Sequence, residues 1–351
     1  MHLHSSSFTD MSKKVIVIGG GIAGMTAAAS LSETGVSVVL LEKEKQLGGH
    51  VRNWDRLFPS LRSGNEVLSY WENLVNSRVE VIPGVTISGI IQHNNEFTVL
   101  IENDRQITAN AVVLATGYSL FDAGKKEEYG YGIYDNVITS ADLESIFREG
   151  KKITTAGGNT PGRIGFVHCV GSRDEKVGNL YCSKVCCVTG VKQAIEIRKE
   201  LPEAEVYGFY MDLRMYDRNF EELYFEAQQK WGINFIRGRV SECAENTDHS
   251  ILLKTEDTLT GRPLRMSVDL LILLVGFIPS PGTMKLSTML GLKHGPDGFL
   301  KPADEHLLDN TTDVPGLFLT GAVKGPYTIV NTIADARATA LQVSSYLSYI
   351  G

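Results

Sequence analysis

The stretch Val15-Ile-Val-Ile-Gly-Gly-Gly-Ile-Ala-Gly24 sends four β-branched residues straight into a glycine-rich turn. The first four read as a buried strand. Beyond the turn, Ile22, Met25, Ala28 and Leu31 recur at helical spacing, so a helix follows and ends near Gly35. Val38-Val-Leu-Leu41 is the next strand, and it closes on Glu42. The sum is a β-α-β unit carrying G-x-G-x-x-G at Gly19, Gly21 and Gly24, with an acid eighteen positions further on. Each glycine has a separate job. Gly19 permits the tight turn, Gly21 lets the backbone approach a pyrophosphate, and Gly24 lets the helix pack on the strand. The helix N-terminus, at Ile22 and Ala23, offers free N–H groups and a positive dipole end to the phosphates. Glu42 stands where a ribose diol would be accepted. These features together predict a dinucleotide site.

The chain has 351 residues, of which 43% are hydrophobic, 21% are charged and 35 are glycine. That composition fits a globular α/β protein of about two domains. The formal net charge of −7, with no basic run, argues against a nucleic-acid partner. The longest apolar run, Leu270-Leu-Ile-Leu-Leu-Val275, suits a buried strand and is too short to span a bilayer. The first residues, MHLHSSSFTDMSKK, lack the apolar core of a signal peptide and read as a disordered lead with Met11 as a second possible start. The expected location is cytoplasmic.

Further along, Ala111-Val-Val-Leu-Ala-Thr-Gly117 is a strand entering a tight turn. Gly316-Leu-Phe-Leu-Thr-Gly321 repeats the pattern before an apolar helix at about 329–347. This order resembles the two-dinucleotide-domain flavoproteins related to thioredoxin reductase. The resemblance implies a thioredoxin reductase-like α/β fold of two Rossmann-type three-layer domains, the first split in sequence. The expected segments are 12–150 and 299–351 for FAD and 151–298 for the second domain. It also implies FAD at the first glycine motif. Further cofactor-binding candidates are Lys43, Gly48, Gly49, His50 and Val85; Ala115, Thr116 and Gly117 at the first turn; and Gly321 and Ala322 at the last. Ala322 stands where these relatives carry Asp, which removes one carboxylate from that end of the site.

The second domain departs from the pattern. The strand Ile164-Gly-Phe-Val-His-Cys-Val170 should lead into a second glycine motif. The chain instead reads Cys169-Val-Gly-Ser-Arg-Asp-Glu175 and then Tyr181-Cys-Ser-Lys-Val-Cys-Cys187. A helix is expected from about Cys186 to Glu200, a strand over 206–210 and a helix over 219–231. Of five cysteines, four form C-x12-C-x3-C-C: Cys169, Cys182, Cys186 and Cys187. Four thiolates can hold a [4Fe–4S] cube. A zinc site, a redox disulfide between Cys182 and Cys186, and simple packing of small apolar thiols are the alternatives.

His168 to Glu175, with Tyr181 to Cys187 and Lys192-Gln-Ala194, resembles the flavin subunit of heterodisulfide reductase, HdrA. So does Gly325-Pro-Tyr-Thr-Ile329. The resemblance implies a [4Fe–4S] cluster on the four cysteines, Pro326, Tyr327, Thr328 and Ile329 near the flavin ring, and Lys192 beside flavin N5. On spacing alone, Lys192 reads equally as a solvated helix lysine. Arg173, Asp174 and Glu175 read mainly as caps of the cysteine loop. The ferredoxin-type cysteine runs of full-length methanogen HdrA do not occur in this sequence. In that respect it resembles the HdrA-like subunits of sulfur-oxidising complexes. The implied partners are other iron–sulfur subunits of such a complex, with a lipoyl or sulfur carrier acting through it, and a homodimer is expected. The function implied is electron relay between FAD and the cluster. A stand-alone NAD(P)H-dependent disulfide reductase and a redox-silent FAD- or zinc-bearing scaffold are the competing readings. With no second phosphate cradle, direct reduction by NAD(P)H is not expected.

Overall fold

The computed structural model describes residues 13–102 and 105–350. The amino-terminal lead and Met11 lie outside the described residues. The chain divides into two compact units. The first takes residues up to Arg52, Asn65–Ser119 and Ile278 onward; the second takes Asn53–Gly64 and Leu120–Phe277.

The first unit is built on a five-stranded parallel sheet. Its order is Leu317–Leu319, Ala111–Leu114, Lys14–Ile18, Ser37–Leu41, Glu80–Ile82. Residues 15–18 are buried on both sides, as parallel strands covered on two faces require. One face meets a three-stranded antiparallel sheet, Ile87–His93, Glu96–Ile101 and Arg105–Ala109. There Phe97, Val99 and Ile101 join Ile16, Val39, Val112 and Leu319 in one core. Each such side chain contributes roughly 1.5–3 kcal/mol on burial. The helices Ile22–Glu33 and Ile329–Tyr349 pack against each other in the same unit. Thr328 starts the second of these by accepting a hydrogen bond from the Asn331 N–H at 3.2 Å.

The second unit repeats the frame. Its parallel sheet runs Val137–Thr139, Leu270–Val275, Arg163–Val170, Glu205–Tyr210, Asn234–Arg237. A second antiparallel sheet comprises Glu242–Glu245, Ile251–Asp257 and Arg262–Val268. Residues 270–275 are buried throughout, as their unbroken apolar run predicts. The helices Cys186–Glu200 and Phe220–Gln229 fall close to their expected positions.

The units meet the chain elsewhere than at the expected residues 150 and 298. The strand Val137–Thr139 pairs with Leu271, Ile272 and Leu273 of the second sheet, so everything from Leu120 belongs with that sheet. The return occurs near Phe277 because the buried run ends at Val275. A short excursion, Asn53–Gly64, also joins the second unit. Its anchor is the Asp55 N–H, which donates to Glu144 at 3.1 Å. Among the described residues, no helix is long and apolar enough to cross a membrane.

Candidate functional site

In the first unit the carboxyl ends of four strands converge on the glycine turn. Gly19 has φ +109°, and a Cβ there would stand 2.4 Å from the Ala115 carbonyl oxygen. A Cβ on Gly24 would stand 1.8 Å from the Gly19 carbonyl oxygen. Both positions are closed to any side chain. Gly21 is different, because its missing Cβ would meet nothing nearer than the Gly49 Cα at 4.0 Å. That empty space above a helix N-terminus is a cradle for a phosphate. Gly48 and Gly49, both with positive φ, face it from the loop beyond Glu42. The Gly48 N–H donates to the Gly20 carbonyl at 2.8 Å.

Glu42 is buried and holds backbone as well as facing the cradle. One carboxylate oxygen accepts from the Gly20 N–H at 2.5 Å and the other from the Glu44 N–H at 2.8 Å. Its remaining lone pairs are what a ribose diol could use. Lys43 is exposed, and Val85 closes the end of the strand by donating its N–H to the Glu42 carbonyl at 3.0 Å. His50 stacks on Tyr118, centroids 4.3 Å apart, and its Nε2 lies 2.9 Å from the Tyr118 carbonyl. Burial holds the His50 pKa below its ordinary value. Ala115 is buried; Thr116 Oγ1 lies 2.6 Å from Thr283 Oγ1, and Gly117 turns with φ +63°.

At the last strand, Gly321 packs on Ala23, and Ala322 is buried beside it. A carboxylate is present here after all, from the helix Ile329–Tyr349. Asp335 accepts from the Gly321 N–H at 2.6 Å, pairs with Lys324 at 2.6 Å and accepts from Asn310 at 2.9 Å. Sequence reasoning missed it because it lies thirteen positions beyond Ala322. Pro326 is buried in the following turn, Tyr327 takes the Lys324 cation over its ring, and Thr328 caps Ile329.

In the second unit the matching place is occupied by sulfur. The strand Arg163–Val170 carries one extra residue between Val167 and Val170 relative to its partner. At this bulge Cys169 takes φ +61°, a left-handed conformation costly for a residue with a Cβ. Arg173 and Lys184, in the same loop system, are also left-handed at φ +52° and +59°. Cys186 and Cys187 open the helix Cys186–Glu200, whose N-terminal dipole favours negative charge.

Cys169, Cys186 and Cys187 are buried and Cys182 is half-buried; all five cysteines are free thiols. Cys186 hydrogen-bonds both Cys169 and Cys187. That bond holds Cys169 below its ordinary pKa and draws Cys187 down to about 4, against burial; Cys186 itself is pushed well up. His168 adds to the pull on Cys187. Arg173 is close enough to feel both Cys169 and Cys182, and Tyr216 both Cys182 and Cys187. The four thiols therefore share one neighbourhood with two thiolate-stabilising cations.

Among the described residues, no group of three or more His, Cys, Asp or Glu converges so as to hold one metal ion. A cubane takes one thiolate per iron and does not require its ligands to meet at a point, whereas zinc does. Easily ionised, buried, clustered thiols suit the former donor set.

The loop is pinned on both sides. Ser172 and Ser183 hydroxyls lie 2.5 Å apart, and Ser183 accepts from the Phe277 N–H at 2.8 Å. Asp174 caps the turn Glu175–Val177, as expected, and also forms a buried ion-pair group with Lys126 at 2.7 Å and Arg239 at 2.6 Å. Arg173 pairs with Asp212 at 2.7 Å, and Glu175 is exposed.

Lys192 is not a solvated helix lysine. It is 2% exposed and lies between two carboxylates, Glu144 and Glu196, the latter at 2.8 Å. Glu144 comes from the helix Ser140–Arg148, fixed by a capping box of Thr139 and Asp142.

The first part of the chain, residues 13–162, matches the family model for pyridine nucleotide-disulphide oxidoreductases. Among solved structures, thioredoxin reductases of T. acidophilum and Lactococcus lactis share the fold. Their TM-scores are 0.66 and 0.65, at 18% and 20% identity, over 97% and 96% of this chain and 100% and 99% of theirs. The protein is an FAD-dependent oxidoreductase of thioredoxin reductase-like fold.

Within that class the chain is an HdrA-like protein, a homologue of the HdrA component of heterodisulfide reductase. It is 30% identical to the HdrA-type component of the H(2):CoB-CoM heterodisulfide,ferredoxin reductase of Methanothermobacter thermautotrophicus. It is 32% identical to an iron-sulfur subunit of the CoB--CoM heterodisulfide reductase of Methanopyrus kandleri. Each alignment covers 97% of this chain and, respectively, 64% and 65% of the relative, so the chain spans just under two thirds of their length.

Proposed function

We propose that this chain is an electron-transferring iron–sulfur flavoprotein component of a heterodisulfide reductase-like complex acting in disulfide or persulfide metabolism. The observation that carries the reading is the exchange of a second glycine cradle for clustered, coupled, buried thiols on a left-handed bulge. The name of the Methanopyrus relative, an iron-sulfur subunit, supports it.

When bound, FAD exchanges two electrons and an iron–sulfur cube passes one at a time, so together they split a pair into single steps. The chain's own residues do the rest. Gly21 and the N-terminus of the helix Ile22–Glu33 hold the pyrophosphate, with Glu42 for the ribose and Asp335 fixing the Gly321 turn. Cys169, Cys182, Cys186 and Cys187 supply thiolates, and Arg173 and His168 balance their charge. Lys192, held as a cation by its two carboxylates, would favour anionic reduced flavin from beside N5. The substrate chemistry would sit on partner subunits, and the protein itself would be a homodimer in the cytoplasm.

The test is iron and acid-labile sulfide on anaerobically purified protein, read with the visible spectrum. About four of each per chain over a flavin spectrum is expected. Flavin without iron would sink the relay and favour the disulfide-reductase reading. Rapid bleaching of the flavin by NADH in the pure protein would contradict the missing second cradle.

A further inference from the structure

The carboxylates around Lys192 are not equivalent. Glu144 is fully engaged: one oxygen accepts from Lys192 and from Gln193 Nε2 at 2.7 Å, and the other from the Asp55 N–H at 3.1 Å. Glu196 has no such set. Its Oε2 lies 2.8 Å from the Lys192 Nζ but is not aligned as a hydrogen bond, and it has no other partner among the described residues. The same Glu196 lines a cavity of about 520 Å³ within the second unit. Phe147, Leu61 and Gly150 form apolar wall, and the charged groups around it are Asp55, Arg56, Lys151, Lys152, Lys199 and Glu200. Lys151, Lys152 and Lys199 are exposed, so the cavity reaches solvent.

One cation between two buried carboxylates leaves one negative charge unbalanced, which a low-dielectric site disfavours. The cheapest relief is a proton on the carboxylate with fewer donors. The geometry points to Glu196 as a proton-holding residue, storing one exchangeable proton beside Lys192 and loading it from solvent through this cavity. Burial, with Glu144 and Asp55 nearby, raises the Glu196 carboxyl to about 7 despite the opposing pull of Lys192, so the store half-fills near neutrality. The step is a proton transfer only: Glu196 releases H⁺ and becomes a carboxylate paired with Lys192. The store exists whatever the electron chemistry; its use as a proton supply for flavin reduction rests on the proposed position of Lys192.

Infrared difference spectroscopy on the holoprotein tests this. The carbonyl stretch of a buried, protonated carboxylic acid should vanish as pH rises through about 7. It should shift at once on transfer into D₂O. Glu196→Gln should abolish it. Glu144→Gln, which removes the competing negative charge, should move its midpoint down by about one pH unit or more. The proposal is overturned if no such band titrates, if it survives in Glu196→Gln, or if it exchanges only over hours. The Glu144→Gln midpoint decides the matter if Glu196→Gln does not fold. Iron content is measured separately, so failure of the store and failure of the relay are distinguishable.

Discussion

In the first unit the strand Lys14–Ile18 gives way to glycines; in the second, Arg163–Val170 gives way to a cysteine on a bulge. The sheets, the antiparallel sheets and the helix after the turn are alike. The difference lies in what occupies the space at the helix N-terminus. Glycine leaves it empty for a phosphate, and both charge and backbone donors are already suited to an anion. The second unit keeps the favourable dipole but fills the space with thiols, which bring their own negative charge. It accepts left-handed strain at Cys169, Arg173 and Lys184 to do so. One frame thus serves two anionic guests.

Substitutions should separate the two solutions. The largest effect is expected at Gly24. Any side chain there meets the Gly19 carbonyl, so Gly24→Val should unseat the helix Ile22–Glu33 and yield flavin-free, poorly folded protein by circular dichroism and absorbance. Cys186→Ser should lose its iron while the first unit keeps its flavin; flavin lost along with the iron would mean that the two solutions are not independent. Lys192→Met strands Glu144 in the interior and should cost about 3–5 kcal/mol in chemical denaturation.

A smaller effect comes from pH. The folded chain keeps the Glu196 proton up to about 7, whereas the unfolded chain releases it near the ordinary 4.5. The folded state therefore binds the extra proton between these values. Stability should fall as pH rises from about 4.5 to about 7, by on the order of 3 kcal/mol, and Glu196→Gln should flatten that slope. Smallest is Gly21→Ala, whose Cβ fits the protein but not the guest. It should leave the melting temperature unchanged and weaken FAD about tenfold or more by equilibrium titration.

Much of this was readable from the chain. The β-α-β unit, the buried run 270–275 and the helix beginning at Cys186 follow from periodicity and glycine placement. What escaped depends on contacts between distant residues. Glu144 reaches Lys192 across 48 positions, and Asp335 reaches Gly321 from a helix that reads only as apolar. The domain boundary failed for the same reason. The strand Val137–Thr139 is three residues long, and only its pairing with 271–273 assigns it to the second sheet.

The pinned cysteine loop gives the sulfur site a front and a back. Cys169, Cys186 and Cys187 are sealed behind the sheet and helix, while Cys182 stands half-exposed next to a fully exposed Lys184. Small oxidants and alkylating agents must therefore arrive at one corner first. Damage begins at Cys182, and a repair or delivery protein would have to approach by the same door.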